Sequence, residues 1–572
     1  MNIQKILLTV ICCVCALSVM AETSGRWIAW SLLPATRWED AFVTGNGIHG
    51  TMVWGNPQDE CITCVHEELF IRAWDRHAKT VPVTAPLLPE IRNLINLNRS
   101  NEADSLIVTE ANRQMKAMGV NNHWPQIPHP AFDLRIRHLD VFPSCHTDYR
   151  RQLDMESGVT TVWGCGSSNG KEEVFSSRIE NINVIRLKAG KAGKLHVRLN
   201  LEETPGRKGM HFDHNLDSAF CTVNSAAEQG WLTYHAKYRF DSGGYDGLAR
   251  VLPRGGNMIC DGYGLEITDA DEILILLRIP WEEALTAPTK ASVKKLLEAI
   301  PSNYEAILSS HQEEHSRLFL RMQLDLECAE GWRQTPVEQL LSEIHENGIT
   351  PLFMEQIHAM GRYLLISSCG KYPPPLQGIW GGGWKPAWIG GFVWDSNINL
   401  AISGAAMGNL PECAESYCSY VEHLLPGWRL NAKNYLGCRG FLVAHYNDPS
   451  NGYLTHFGRS FPWMCWSGGA GWNIRPFYEY AMLTGDEDMM KKRVLPLYKE
   501  MAEFYEDFLV KEPDGLYHIL PSISPENAVK GTNTWLSRDA TMDIAIAREV
   551  FGLLLEMGKK YKFSKKECDR WR

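Results

Sequence analysis

Thr160-Thr161-Val162-Trp163, Glu173-Val174-Phe175, Val184-Ile185-Arg186-Leu187 and Leu195-His196-Val197-Arg198-Leu199 are apolar runs of strand length, packed closely between residues 160 and 199. They are rich in β-branched and aromatic residues, which fit a pleated, half-buried surface. Gly, Asn, Asp and Pro break the runs apart, as turns between strands require. The same texture extends outward from about Trp27 to Ile279. Many short strands at close spacing predict a large β-sandwich. Arg92 to Met118 interrupts it with helical periodicity and reads as an excursion packed on one side.

Near Pro280 the period changes. Ala291–His315 and Val337–Ser368 read as long amphipathic helices, followed by Glu412–Leu425, Trp472–Thr484, Asp488–Val510 and Met542–Lys560. Helices of this length joined by loops rich in Gly, Pro and Trp predict a helical barrel with its site at one rim. The expected organisation is a signal peptide at 1–21, a β-sandwich at 22–285, a helical linker at 286–345 and a partial barrel at 346–572. With the chain ending at Arg572, about half the helices of such a barrel are expected, and a C-terminal part is expected to be missing.

The 572 residues exceed what one core organises, so several domains are expected. Lys5 followed by the apolar stretch Ile6–Met20, with Val19 and Ala21 as the small residues of a cleavage site, reads as an export signal. Periplasmic or extracellular placement follows. No comparable apolar run comes later, which predicts a protein without a membrane span. A net charge of −10 argues against nucleic acid as the main partner. Of 16 cysteines, Cys12, Cys13 and Cys15 lie in the apolar leader, leaving an odd number without a repeating spacing. Cys61-x-x-Cys64 alone is weak evidence for zinc or redox chemistry, and most thiols read as small buried hydrophobes, with one or two disulfides open to an exported chain. No metal and no cofactor are expected.

Two hydrolase-like motifs fail on context. Gly166-Ser167-Ser168-Asn169-Gly170 fits GxSxG but lies between two β runs without a following helix, so it predicts a hairpin turn. His311-Gln312-Glu313-Glu314-His315 fits HxxEH, and a zinc site would need a third ligand, for which Glu355 is available. The ordinary reading is a helix linking two domains.

Two other features point to sugar chemistry. Eight tryptophans fall between Trp380 and Trp472, several beside glycines. An indole offers a flat apolar face and one donor, which suits a sugar ring, although the same residues fill helical cores. Further on comes Pro521-Ser522-Ile523-Ser524-Pro525-Glu526-Asn527. Prolines fix φ and keep the preceding residue extended, so Glu526 is expected on a stiff loop. That suits proton transfer to a glycosidic oxygen, whereas the plain alternative is a solvent-facing loop glutamate.

Taken in order, these motifs resemble glycoside hydrolase family 95, the inverting α-L-fucosidase and α-L-galactosidase family. The resemblance runs through Pro34-Ala35-x-x-Trp38-Glu39-x-Ala41, Gly45-Asn46-Gly47-x-x-Gly50-x-Met52-Val53-x-Gly55, Leu376-Gln377-Gly378-Ile379-Trp380 and Asn397-Ile398-Asn399-Leu400. It continues through Asn409-Leu410-Pro411-Glu412, Ala444-His445, Thr484-Gly485-Asp486 and the Glu526 heptapeptide. It implies a multidomain α and β chain: an N-terminal β-sandwich, a helical linker, an (α/α)6 barrel that this chain leaves incomplete, and a further β domain. Glu526 would be the general acid. Asn397 and Asn399 would line the opposite side, with Asn399 orienting the attacking water. Trp380, Trp394, His445, His66, Glu67 and Trp472 would contact an oligosaccharide or polysaccharide substrate. The oligomeric state is left open.

An amide oxygen accepts hydrogen bonds but is barely basic, so Asn399 needs a carboxylate partner. The family's helper aspartate lies in a later segment than this chain reaches. Asp395, two residues before Asn397, could substitute if that segment were extended, because residues at that spacing would then share a face. Asn399-Leu400-Ala401-Ile402-Ser403-Gly404 replaces the family's usual continuation. His66 stands where an asparagine usually precedes Glu67, and His445-Tyr446-Asn447-Asp448 varies the sugar-contact loop. These departures keep open a second expectation: a catalytically silent carbohydrate-binding protein on the same scaffold.

Overall fold

A computed structural model describes residues 26–71, 80–119, 127–140, 149–190, 195–206, 211–212, 214–215, 220–239, 243–282 and 287–572. The expected signal peptide lies outside the described residues. The chain forms two compact units. One comprises the segment up to Phe70 with Pro128–Lys371 and Gln377–Ala387; the other comprises Ile71–Ile127, Tyr372–Leu376 and Trp388–Arg572.

The first unit is an antiparallel β-sandwich. One sheet runs from Ile28–Ser31 through Arg150–Asp154, Val159–Cys165, Gly170–Ser177, Ile182–Lys188, Glu272–Arg278, Gly244–Arg254 and Trp231–Tyr238 to Phe220–Glu228. The other runs Asn257–Cys260, Leu265–Ala270, Leu195–Glu202, Phe132–His138, Asp59–His66, His49–Val53, Phe42–Gly45. All four runs that decide the fold are strands. Leu195–Glu202 alternates buried and half-buried residues, as a strand with one covered face must. Glu272–Arg278 buries its apolar residues on both faces. The second covering layer is helical: Val293, Leu297, Ile300, Tyr304 and Ile307 pack on Phe175, Val184, Leu274 and Leu276.

Gly166 and Asn169 take positive φ between the paired strands Val159–Cys165 and Gly170–Ser177, so GxSxG is a hairpin turn. His311 and His315 sit buried on the Tyr304–Phe319 helix. His315 Nε2 lies 3.1 Å from Met155 O, and the His311 ring stacks on Phe175. Glu355 accepts the Trp332 indole N–H at 2.7 Å. Gly47 shows why the glycine-rich opening motif is needed. It takes φ +93°, its N–H donates to Ser367 O at 2.9 Å, and a Cβ there would collide with the Cys369 carbonyl. Cys61 and Cys64 are buried and form no disulfide with each other.

The second unit is predominantly helical. Its principal helices are Asn397–Met407, Pro411–Asn431, Arg475–Thr484, Leu495–Phe508 and Thr541–Tyr561. The helical excursion, expected as a decoration of the sandwich, belongs to this unit as helices Leu88–Asn96 and Ser100–Ala117. Its anchors are polar and specific. The Arg92 guanidinium donates to Leu520 O and Phe508 O, both at 2.8 Å. Buried Asp104 accepts the Ser460 N–H at 2.8 Å, and Asn101 Oδ1 accepts that of Asn533 at 3.0 Å. Among the described residues, no helix is long and apolar enough to cross a membrane.

Candidate active site

Most of the tryptophan run is core. Trp380 is 5% exposed, donates its indole N–H to Thr44 O at 2.8 Å, and packs with Met52, Val65 and Ile379 in the sandwich unit. Trp394 is 1% exposed in the helical unit, edge-on to Trp428 and stacked with Tyr420. Trp428, Trp463 and Trp466 are also buried. The expected ligand-facing rings therefore meet a different placement at Trp380 and Trp394, where each indole fills an interior. Trp472 is half-buried, and Trp388 is 78% exposed.

His66 and Glu67 lie in the sandwich unit. The His66 ring meets His49 edge-on, and burial with that neighbour holds it well below the usual histidine range. Glu67 is buried and accepts the Lys371 N–H at 2.9 Å. Asn397, Asn399, His445, Trp472 and Glu526 are all in the helical unit.

Within that unit, Glu526 occupies an exposed turn and takes φ +59°, a left-handed conformation unusual for glutamate. The turn closes on itself through Asn527, whose N–H donates to Ser524 O at 3.0 Å. Its stiffness has a source that the prolines did not reveal. Asp543, wholly buried near the start of the Thr541–Tyr561 helix, accepts the Ser522 hydroxyl at 2.6 Å and the Ile523 N–H at 3.3 Å on one oxygen. Its other oxygen accepts the Gly468 N–H at 2.9 Å. One carboxylate thus ties the Glu526 loop to the glycine-rich turn that leads to Trp472. Ser522–Ile523 also pairs with Leu536–Ser537. Arg92 grips the loop from the excursion through Leu520 O. Sequence offered no signal for Asp543, since an aspartate in a first helical turn is ordinary.

The second element is the turn Trp394-Asp395-Ser396-Asn397. Trp394 N–H donates to His445 O at 2.8 Å, and the Asn473 amide donates to Trp394 O at 2.8 Å. Ser396 takes φ +124°, a sparsely populated conformation for any residue with a side chain. The helix begins at Asn397, so Asp395 and Asn397 do not form the extended pair considered from sequence. Asn397 is exposed. Asn399 is 5% exposed, and its amide oxygen accepts the Leu400 N–H at 3.0 Å, which leaves one lone pair for another donor.

His445 lies beside the second element. Its ring stacks on Trp463 with centroids 4.6 Å apart, and its Nε2 lies 4.0 Å from Asp395 Oδ1. Burial and nearby His456 push it down to about 3, so the ring is neutral at working pH. Its Nδ1 is buried with no hydrogen-bond partner. Burial and the charge of Glu526 raise the Asp395 carboxyl to about 6. The arrangement is a pair of carboxyl groups within electrostatic range, beside two asparagines and an aromatic wall.

Known proteins resemble this chain in sequence and in fold. Residues 303–572 match the glycosyl hydrolase family 95 catalytic domain, and residues 30–280 match the glycosyl hydrolase family 65 N-terminal domain. "Alpha-L-fucosidase 2" of Arabidopsis thaliana is 26% identical over 91% of this chain and 63% of its own length. "Probable alpha-fucosidase A" of Aspergillus niger is 24% identical over 66% of this chain and 49% of its own. This chain therefore spans 49% to 63% of the length of these relatives. The solved "Putative kojibiose phosphorylase from human microbiome" superimposes with a TM-score of 0.59 at 12% identity, covering 96% of this chain and 69% of that one, and shows the fold alone. The segment that holds Asn397, Asn399 and Glu526, residues 303–572, is thus of the glycosyl hydrolase family 95 catalytic-domain type.

Proposed function

We propose that this chain is an exported glycoside hydrolase that removes terminal α-L-fucosyl or α-L-galactosyl residues from oligosaccharides or polysaccharides with inversion. One observation carries the reading. A glutamate on a clamped loop shares a helical unit, and electrostatic range, with the strained turn bearing Asp395, Asn397 and Asn399. The Trp388–Arg572 part of that unit falls within the segment matching the family's catalytic domain, which supports reading its helices as part of an (α/α)6 barrel. The names of the plant and fungal relatives support fucose as the sugar. Lys5 and the apolar Ile6–Met20 ending at Ala21 support export.

In this reading Glu526 protonates the leaving oxygen while a water held by Asn397 and Asn399 attacks the opposite face of the sugar. An inverting site leaves room for that water, roughly 6.5–9.5 Å between its acid and base groups. His445 and Trp472 contact the sugar. The reaction calls for no metal or cofactor.

Proton NMR of the chain with an α-1,2-fucosylated oligosaccharide tests it. Early appearance of β-L-fucose is expected; α-L-fucose appearing first would refute inversion. Binding without release would favour the silent carbohydrate-binding protein.

Trp388 adds a smaller prediction. Its ring is exposed, and its carbonyl accepts the Tyr446 hydroxyl at 2.6 Å beside His445. An aromatic face so placed suits a sugar unit beyond the cleaved bond. Trp388→Ala is expected to raise KM about three- to tenfold, equivalent to roughly 1 kcal/mol, with little change in kcat. Steady-state kinetics on tri- and tetrasaccharides check it, and unchanged KM on both would remove Trp388 from the site.

A further inference from the structure

We propose that the two excursion helices, Leu88–Asn96 and Ser100–Ala117, position the general acid: they grip the Glu526 hairpin by its backbone and fix where that carboxyl stands. The inference rests on the hydrolase reading above. It gives a part in the reaction to a segment whose chain neighbours on both sides belong to the sandwich.

The grips fall on both strands of the hairpin and at its base. Arg92 donates to Leu520 O on the incoming side and to Phe508 O at the end of the preceding helix. On the returning side, Asn101 Oδ1 accepts the Asn533 N–H at 3.0 Å. Two residues on, the Trp535 N–H donates to Ser460 O at 3.0 Å, while the Ser460 N–H donates to Asp104 at 2.8 Å. At the base, the Arg538 guanidinium donates to Asn96 Oδ1 at 3.0 Å. Glu526 lies in the chain between Leu520 and Asn533, and the bonds of its own turn run among Ser524, Pro525 and Asn527. Its direction is therefore inherited from the hairpin.

The excursion has other means of docking. Ile91, Leu94, Ile95, Ile107 and Ala111 are buried. Thr84, ahead of the first helix, donates its hydroxyl to Tyr435 O and its N–H to Asn434 O, both at 3.0 Å. Arg92 is the costly member. It is half-buried over the Phe508 ring, burial lowers its pKa, and among the described residues no carboxylate pairs with it. A cation held by carbonyls alone is expensive where an apolar side chain would pack. What it adds is direction, because two donors of one rigid plane fix Leu520 against Phe508. Proton transfer is where such precision counts: a displacement of about 1 Å costs up to roughly 10²-fold in rate.

The test uses the full chain on two substrates, an α-1,2-fucosylated oligosaccharide and α-L-fucosyl fluoride, whose departure needs no acid. Arg92→Met is expected to lower kcat about 10- to 100-fold on the oligosaccharide, with KM within about twofold, and to change the fluoride rate by no more than about threefold. Arg92→Lys, which keeps the charge and one donor at a time, should recover part of the loss. Asn101→Ala is expected to show the same split at about three- to tenfold, and Asn101→Asp, which keeps the acceptor, to recover most of it. Asn101 is exposed, so its variants carry the test if Arg92→Met does not fold. Equal losses on both substrates would mark a merely structural role and overturn the proposal, as would full rates on both. Hydrogen exchange reads the grip without turnover: residues 519–537 should exchange faster in Arg92→Met, with the Thr541–Tyr561 helix unchanged. If the unsubstituted chain turns over neither substrate, the hydrolase reading fails, whereas unchanged exchange at 519–537 overturns the grip itself.

Discussion

Glu526→Gln is expected to lower kcat on an α-1,2-fucosylated oligosaccharide by about 10²- to 10⁴-fold while leaving the rate on α-L-fucosyl fluoride within a few-fold of the unsubstituted chain. The split follows from the role. A sugar hydroxyl is a poor leaving group and must be protonated as it departs, whereas fluoride leaves as the anion. Gln keeps the volume and much of the hydrogen-bonding shape of Glu but has no proton to give. The turn should survive the change, because its bonds run through Asn527, Ser524 and the Ser522–Ile523 strand rather than through the Glu526 carboxyl. A full rate on the oligosaccharide would remove Glu526 from the acid role. Equal loss on both substrates would point to damage in the loop instead, and the melting temperature of the variant distinguishes that case.

How far the sequence carried depends on how local the deciding physics is. Strand alternation and turn residues act within a few positions, so the sandwich between Trp27 and Ile279 and the hairpin at Gly166–Gly170 were legible. The helical character after Pro280 was legible for the same reason. But Ala291–His315 and Val337–Ser368, each expected as one helix, are two: Ala287–Ala299 with Tyr304–Phe319, and Val337–Asn347 with Pro351–Ser368. Pro301 and Gly348 fall in the breaks. The excursion was recognisable as helical, but nothing local says that Arg92 reaches Leu520 or that Asp104 reaches Ser460. Those are contacts across hundreds of residues, and they place it in the other unit.

The tryptophans misled in a related way. Neighbouring glycines signalled loops, but Gly382 packs on the Trp38 ring and Gly469 on Trp466, so these loops run against aromatic rings and carry core indoles. The exposed Trp388 and the half-buried Trp535, which meets Trp463 edge-on, were not distinguishable by composition. Asp395 was noticed for a spacing that the structure does not use. Its raised pKa comes from what surrounds it, which a one-dimensional pattern does not contain.

Asp543 offers the second large effect, with a sign fixed by linkage. Burial raises its carboxyl from 3.8 to about 7, outweighing the hydrogen bonds from Ser522, Ile523 and Gly468 that favour the ionised form. Folding therefore disfavours ionisation of this group. Its contribution to stability is complete below about pH 4 and is lost as pH rises toward 7, at about 1.4 kcal/mol per pH unit and about 4 kcal/mol in all. Asp543→Asn does not titrate. It keeps one acceptor oxygen but turns an NH2 toward donors on the other side, which costs about 1–3 kcal/mol at every pH.

The two effects run against each other. The gap in melting temperature between the unsubstituted chain and Asp543→Asn should be widest near pH 4–5. It should shrink, or reverse, by pH 8. Other carboxyls move the absolute curves in both directions: buried Glu60 is raised to about 8, while Glu110 is lowered to about 2 beside Arg113. They are common to both proteins and cancel in the difference. Thermal melts of the pair between pH 4 and pH 8 decide it, and a gap that stays constant or widens with pH would show that Asp543 is ionised throughout. Because the same carboxylate clamps the Glu526 loop, Asp543→Asn should also lower kcat more on the oligosaccharide than on the fluoride, which depends less on where the acid stands.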